Sequence, residues 1–338
     1  DAVVAADAPM LFLAAAVAAR FGLPHNPADA VLSTADKTRQ RRLWSADGVA
    51  QPRFEIIPAQ AGDDAIRQAG TAVGFPCVVK PVSLSASQGV LRANNPASAV
   101  RAAARIRRLL STARPHAGEP LLVEEYLPGP ELSIDALLSD NGLTPLAIFD
   151  KPATPDGPTF EETLLVTPSR LPRPIVASAV RTAGDAARAL GLRTGPVHAE
   201  LRVTGTGPAM LELAARSIGG LCSRALRFPG GKSLEELIIA SALGDPIPEE
   251  SRELPRPSGI FMIPVPRPGV LRAVEGRAAA SAVPGITGLT ITIPPGRQVR
   301  PLPDGDQYLG FIFAEAATPD DVEKALISAS QQLHAVIG

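Results

Sequence analysis

His198-Ala199-Glu200-Leu201-Arg202-Val203, then Thr204-Gly205-Thr206-Gly207, then Pro208-Ala209-Met210-Leu211-Glu212-Leu213-Ala214-Ala215-Arg216 reads as two short strands joined by a tight glycine turn. Side chains alternate along a strand, which predicts His198, Glu200 and Arg202 on one face. On the partner strand Met210, Glu212, Ala214 and, with extension, Arg216 would share a face. A three-residue loop of Gly205, Thr206 and Gly207, with glycine for the left-handed position, sets Glu200 directly across from Glu212. Opposed Cβ atoms lie about 5 Å apart. Two carboxylates at that distance repel by about 3 kcal/mol at an effective dielectric of about 20. A shared proton, a basic partner or a divalent cation would offset this, and carboxylates completed by substrate phosphates are a common Mg²⁺ cage. Two outward-facing glutamates, or a register slipped by one residue, would account for the same pattern without a ligand.

A chain of 338 residues has room for about two or three domains. At 45% hydrophobic and 20% charged it can bury a sizeable core. The 33 basic and 34 acidic residues leave a net charge of −1, which argues against a general nucleic-acid binder. Aromatic residues, at 4%, are too sparse for base-stacking platforms. Cys77 and Cys222 can form neither a disulfide framework nor a four-thiolate zinc site, so a reducing, cytoplasmic setting is expected. The apolar run Ala8–Ala19 follows Asp7 rather than a basic segment and is shorter than the roughly 20 residues of a membrane span. It is expected to be a buried helix, and no other stretch could span a membrane.

Along the rest of the chain the pattern predicts helices at Pro9–Arg20, from Ser33-Thr34-Ala35-Asp36-Lys37 to Gly48, and at Gly62–Val73. Thr34 or Asp36 would cap the second of these. Strands are expected at Arg53–Ile57 and at Phe75–Pro81, which ends on Lys80-Pro81 and enters the small-residue loop Val82–Val90. Asn95-Pro96, a cap followed by proline in the first turn, starts a long helix to about Ala113. Strands Leu121–Leu127 and Glu131–Leu138 precede the hairpin signal Asp140-Asn141-Gly142 and a returning strand Leu146–Asp150. A Pro- and Gly-rich loop Lys151–Pro158, a strand Phe160–Val166 and an amphipathic helix Ile175–Leu190 lead to the hairpin. Beyond it lie a helix at Ser233–Leu243, a proline-rich connector Pro246–Pro257, and strands at Gly259–Val265, Leu289–Ile293 and Tyr308–Ala314. A final helix is expected from Thr318-Pro319 to Val336.

Lys80 at the end of an apolar strand, before a polar glycine-containing loop, suits phosphates, which loop amides can cradle. No Gly-x-x-x-x-Gly-Lys-Ser/Thr and no strand-following Gly-x-Gly-x-x-Gly occurs, and a strand-end lysine serves equally as a surface residue. Glu124-Glu125-Tyr126-Leu127 with Gly129-Pro130-Glu131 is open in the same way. Adjacent glutamates are commonly solvated, yet a strand edge entering a linker can offer backbone groups to a base, and a later glutamate can take a ribose hydroxyl.

In their order these pieces resemble the ATP-grasp superfamily, in particular its carboxylate–amine ligases, including L-amino-acid ligases. The matching pieces are Asp36-Lys37 with Arg39 and Arg42; Gly74 to Pro81; the loop to Gly89-Val90; Leu122 to Glu131; Gly195 with His198-Ala199-Glu200; and Leu211 to Arg216 with Gly219-Gly220. The match runs from about Leu32 to Gly220. It continues more loosely to the C-terminus, where Gly269, Gly276, Gly285 and Tyr308–Ala314 resemble the closing lobe.

The resemblance implies an ATP-grasp fold of α+β and α/β character, two α+β lobes sandwiching ATP. The implied division is a remnant of an N-terminal α/β domain at 1–30, lobe A at 31–125, lobe B with the hairpin at 126–245, and a C-terminal α+β lobe at 246–338. Most of the N-terminal domain is expected to be missing. Lys37 and Lys80 would contact ATP phosphates, with Ser87, Gln88 and Gly89 in the loop closing over them. Glu124, Glu125 and Leu127 match the linker that holds adenine, mainly by backbone, and Glu131 matches the ribose-binding acid. Glu200 and Glu212 match the ligands of Mg²⁺, or Mn²⁺ in its place. Arg216 matches the arginine that steadies the transferred phosphoryl group or acyl-phosphate, with His198 nearby.

The activity implied is ATP-dependent activation of a carboxylate as an acyl-phosphate, then attack by an amine. Both substrates are expected to be amino acids. The implied partners include no nucleic acid and no membrane, and a homodimer is admitted. Specificity is expected in the loops Lys151–Thr163 and Gly220–Arg224. Two departures stand out: Ala214 replaces an asparagine common in the family, which bears on a second Mg²⁺, and the phosphate loop carries a single glycine, Gly89. The alternatives are biotin-carboxylase-like or purine-pathway chemistry and an inactive ATP-binding module. No biotin-attachment Met-Lys-Met occurs, and Lys80, Glu200, Glu212 and Arg216 together speak against a decayed site.

Overall fold

A computed structural model describes residues 1–5, 7–113, 118–152, 157–252, 254 and 256–338. The expected loops Lys151–Thr163 and Pro246–Pro257 are therefore described except at 153–156, 253 and 255, which lie outside the described residues.

A small antiparallel sheet takes its strands in the order Phe54–Ile57, Leu121–Glu125, Cys77–Pro81, Leu91–Ala93. Helices Asp63–Val73 and Pro96–Ala113 pack on it and on each other. In the first, Ile66, Ala69, Gly70 and Val73 recur at helical spacing and are buried. The second opens as the sequence predicts: the Asn95 carboxamide accepts the Ser98 N–H at 2.9 Å. Between helices and sheet lies a core that includes Ile66, Val79, Ile106 and Val123.

The large sheet is also antiparallel. Its order is Ile286–Ile291, Gly310–Glu315, Ser258–Ile263, Leu164–Thr167, Gly142–Asp150, Glu131–Ser139, Gly195–Thr204, Gly207–Ala214. Strand alternation sorts its faces. Leu132, Ile134 and Ala136 join Val197, Ala199 and Leu201 beneath helix Arg173–Ala189, whose Ala179, Ala183, Ala186 and Ala187 allow close approach. Glu131 and Asp135, at alternate positions, belong to the other face. Strands on either side of the expected boundary at 245/246 share this sheet. Helix Lys37–Ala46, within the expected segment 31–125, packs Trp44 into the core beneath it.

The linker between the sheets turns at Gly129, with φ +117°, where a Cβ would lie 2.1 Å from the Val203 carbonyl oxygen. Glycine is required there, and the turn lets the Val203 N–H reach the Pro130 carbonyl at 2.8 Å.

Several expectations are corrected. The helix expected from Ser33 is two helices, Ala28–Ala35 and Lys37–Ala46, parted at Asp36, whose side chain caps the second. The final helix stops at Ser330, and His334–Ile337 is a strand paired with Gly269–Glu275 in a third, three-stranded sheet. The strand expected from Phe160 begins at Leu164. The N-terminal helix, Leu11–Arg20 behind a short 3-10 turn, buries Ala15 and Ala18 but leaves Phe12 and Leu13 about half exposed, because a single face packs against the chain. Among the described residues no helix is long and apolar enough to cross a membrane.

Trp44 is fully buried, donates its indole N–H to the Ala186 carbonyl at 3.1 Å and lies under the Arg41 guanidinium. Trp44→Ala should cost about 3–5 kcal/mol of stability. Urea denaturation followed by circular dichroism checks this, and an unchanged midpoint would contradict the packing described.

Candidate active site

The cleft lies between the two sheets. Its walls include Lys80 and Ser85–Ser87 from the small sheet, the linker Glu124–Leu127, and Glu131, His198, Glu200, Glu212 and Arg216 from the large one. Lys37, Lys151 and Glu162 also face it.

The hairpin reaches the expected pairing by a different route. Thr204 pairs with Gly207, so the loop is Gly205-Thr206, one residue shorter than predicted. Leu201 accordingly faces Met210. The register then shifts, Leu211 is left without a partner, and Glu200 pairs with Glu212 after all. The bulge also divides side chains that simple alternation would keep together. Met210 is fully buried in the core, whereas Leu211 and Glu212 both line the cleft. Helix Lys37–Ala46 braces the irregularity. Arg41 donates to the Leu211 carbonyl at 2.8 Å, and Gln40 accepts from the Leu213 N–H and donates to its carbonyl, at 3.1 and 2.9 Å.

Cations offset the repulsion between the facing carboxylates. Lys37 Nζ lies 3.2 Å from Glu212 and donates to the Leu84 carbonyl at 2.7 Å, so it bridges hairpin and loop. Glu200 faces Lys151 and His198 Nε2, each at 3.5 Å. Lys151 also meets Glu131 at 2.9 Å and Glu162 at 3.0 Å. Burial would push the Lys151 ammonium down, but Glu162, Glu200 and Glu131 hold it well above its usual value. Burial opposes ionisation of Glu200 too, and Lys151 and His198 outweigh it, leaving that carboxyl far below the usual range. Glu162, where burial dominates, is raised.

His198 is fixed from behind. Its Nδ1 lies 3.2 Å from Asp135, whose other oxygen accepts the Ile218 N–H at 2.6 Å. Burial alone would lower the imidazole, yet Asp135 and Glu200 raise it to about 9, so both ring nitrogens carry protons at neutral pH. Arg216 donates to the Ser217 carbonyl at 2.7 Å.

On the opposite wall Lys80 and Arg41 share one buried carboxylate. Arg41 meets Glu124 through two hydrogen bonds of 2.6 and 3.2 Å, and Lys80 Nζ lies 2.8 Å from it. Burial lowers the Lys80 pKa, partly countered by Glu124. For Glu124 burial acts upward, and Arg41 and Lys80 together bring it down to about 2.

Most of the residues singled out in the sequence therefore meet in one cleft. Gln88 and Gly89 are the exceptions. They turn to the C-terminal segment, with Gln88 Nε2 donating to the Asp304 carbonyl at 3.2 Å and the Gly89 N–H to the Pro303 carbonyl at 3.0 Å. Glu125 lines the cleft while its carboxylate holds Arg53 at 3.0 Å. Glu131 accepts from Arg202 at 2.8 Å as well as from Lys151.

Sequence reasoning missed Arg41, Lys151, Asp135 and Glu162. Two signals were available. Arg41 follows Lys37 by one helical turn and so shares its face, and Lys151 directly follows an apolar strand, much as Lys80 lies near the end of one.

Among the described residues no group of three or more His, Cys, Asp or Glu side chains is arranged to hold a metal ion. The hairpin presents two opposed carboxylates. That donor set is incomplete without further oxygens and fits Mg²⁺, which is commonly held by one or two carboxylates together with phosphates.

Residues 73–225 match the family model of the ATP-grasp domain, and residues 261–338 that of the L-amino acid ligase C-terminal domain 2. The chain belongs to the ATP-grasp superfamily and carries, at residues 261–338, a match to the L-amino acid ligase C-terminal domain 2. It is 31% identical over 281 residues to carnosine synthase 1 of Gallus gallus, covering 78% of this chain and 30% of that protein. It is 31% identical to D-alanine–D-alanine ligase of Gloeobacter violaceus, over 57% of this chain and 63% of the relative. The matches thus span less than two thirds of either relative. The L-amino acid ligase from Bacillus licheniformis superposes on the whole chain with a TM-score of 0.85 at 23% identity, covering 82% of that structure, which establishes the ATP-grasp fold.

The low pKa of Glu124 has a stability consequence. A carboxyl held at about 2 in the fold, against an ordinary value of 4.5, contributes stability above about pH 4.5. That contribution is lost as pH falls towards about 2. Glu124→Gln should therefore be less stable than the parent at neutral pH, with the gap narrowing across this window. Urea midpoints measured from about pH 7 down to about pH 3 check it, and parallel curves would count against the buried charge cluster.

Proposed function

We propose that the chain is an ATP-dependent ligase that joins a carboxylate to an amine through an acyl-phosphate, with amino acids as both substrates. The observation that carries this reading is the hairpin, which turns Glu200 and Glu212 into a cleft whose other wall carries Lys80. In this reading a substrate carboxylate oxygen attacks the γ-phosphorus of ATP, and ADP leaves. The amine nitrogen then attacks the acyl carbon, the C–N bond forms, and inorganic phosphate departs with the acyl-phosphate oxygen.

The residues suit these needs. Phosphoryl transfer depends on positioning and on neutralising spread negative charge. Lys37 and Lys80 would take phosphate oxygens, Lys37 exchanging its present carboxylate partner for one of them, and Ser87 would approach from the loop above. The backbone of Glu124–Leu127 would hold adenine, and Glu131, kept in place by Arg202 and Lys151, would take the ribose. Glu200 and Glu212 would hold Mg²⁺, with Mn²⁺ as a substitute; bound there, it neutralises phosphate charge and orients the transferring group. Arg216 and protonated His198, at the hairpin's exit and entry, would face the activated carboxylate. The cleft walls would exclude water from the acyl-phosphate.

The segment limits 1–30, 31–125, 126–245 and 246–338 remain part of this proposal, as do a cytoplasmic location and room for a homodimer. Cys77 and Cys222 are both free and buried, and burial raises the thiol pKa of Cys77 to about 11 and that of Cys222 as well.

Release of ADP and phosphate with MgATP and pooled amino acids tests the reading. At least one pool should stimulate turnover. Binding of MgATP without stimulation by any pool would sink the ligase assignment. Glu212→Ala should reduce turnover at least about 100-fold while the circular dichroism spectrum is retained. Lys80→Ala should weaken ATP binding about 10- to 100-fold by calorimetry. Unchanged affinity would move the phosphate site elsewhere.

A further inference from the structure

The cleft loop Val82–Val90 is held at three places. At its start, Glu119 of the small lobe accepts from the Val82 and Ser83 N–H groups at 3.3 and 3.4 Å. In the middle, Lys37 takes the Leu84 carbonyl. At its end, the holding groups come from a segment more than two hundred residues away. The Gly89 N–H donates to Pro303, Gln88 donates to the Asp304 carbonyl, and Arg105 of helix Pro96–Ala113 meets the Asp304 carboxylate through two hydrogen bonds of 3.0 and 2.7 Å. Of the loop residues that line the cleft, Leu84, Ser85–Ser87 and Val90, the run Ser85–Ser87 lies between the second and third holds. Ala86 and Ser87 take φ of 54° and 55°, a left-handed conformation unfavourable for side-chain-bearing residues. Such a conformation persists where surrounding structure over-determines it.

The distal segment is built to present these groups. The Asp304 and Gly305 N–H groups both donate to the Pro301 carbonyl, at 3.2 and 2.9 Å, closing a tight turn. A Cβ at position 305 would lie 2.0 Å from the Arg300 carbonyl oxygen, so glycine is required there. Pro303 and Gly305 are buried although they belong to no helix or strand. The turn leads into Gly310–Glu315, a strand of the large sheet. Small lobe and large sheet are therefore fastened across the outer rim of the cleft as well as at the linker.

We propose that the turn Pro301–Gly305 is a clasp that holds the small lobe over the nucleotide, and that Asp304 and Arg105 are positioning residues that set the Ser85–Ser87 loop from outside the cleft. This rests on the reading of the cleft as the nucleotide site. The clasp gives the C-terminal segment a part in nucleotide binding although Asp304 and Arg105 are absent from the cleft wall.

Asp304→Lys sets a cation against Arg105, with Arg300 and Arg108 also near, and should open the clasp. The expected results are MgADP affinity weakened by about two- to fivefold in calorimetry, the scale of a part-exposed ion pair, and faster amide hydrogen exchange over 84–90, Gly89 included. Exchange in strand Leu121–Glu125 should stay at the parent rate. Arg105→Gln should act in the same direction. Combining Asp304→Lys with Arg105→Glu rebuilds the pair with reversed charges and should restore both readouts. Unchanged exchange over 84–90 in the single variants overturns the clasp. So does failure of the double variant to recover, since the loss would then stem from the turn's own folding. If MgADP binds but no amino acid pool stimulates turnover, the ligase reading falls and the clasp still stands. If the parent chain does not bind MgADP, the nucleotide reading falls and with it the clasp's part in nucleotide binding.

Discussion

The Glu124 carboxylate, buried between Arg41 and Lys80, is the interaction on which the cleft depends. A lone charge could not be kept at that depth, because the cost of removing it from water is too large without paired, hydrogen-bonded partners. The cluster satisfies this demand by drawing three separate elements to one point. Lys80 comes from the small sheet, Glu124 from the strand that becomes the linker, and Arg41 from the helix that also carries Lys37. The same Arg41 Nη2 that meets Glu124 also donates to the Leu211 carbonyl in the bulge next to Glu212. One carboxylate therefore fixes, through two cations, the spacing between the expected phosphate lysines and the hairpin.

The cleft is highly charged, and its carboxylates are already paired with protein cations. Lys151 stands among Glu131, Glu162 and Glu200, Lys37 reaches Glu212, and His198 lies between Asp135 and Glu200. An anion entering this site would have to take the place of carboxylates that already hold these cations. The large sheet extends the same logic outward. The sheet reaches from the hairpin to Gly310–Glu315, and the segment before that strand meets the small lobe at Gly89 and Arg105.

Much of this was legible because local patterns carried it. The Asn95-Pro96 cap and the strand ending on Lys80-Pro81 each have a cause within a few residues. The hairpin was legible at its most consequential pair and not in its path. Loop length and bulge are two errors of one residue that cancel at Glu200–Glu212 and fail to cancel at Met210. The C-terminal strand His334–Ile337 was read as helix because its partner, Gly269–Glu275, lies some sixty residues away, and pairing at that distance leaves no local trace.

By itself the sequence determined the kinds of chemistry available: two facing glutamates, strand-end lysines and an arginine at the hairpin's exit. Alternation and helical period suffice for that, since they depend on neighbours along the chain. Only the tertiary structure decided which charges meet. Arg41 and Lys151 are ordinary basic residues in sequence. Burial makes them matter, because a buried carboxylate must find a cation wherever the fold can bring one. The join between Gly89 and Pro303 was settled in the same way, by two lobes closing on a backbone that has to place its N–H groups.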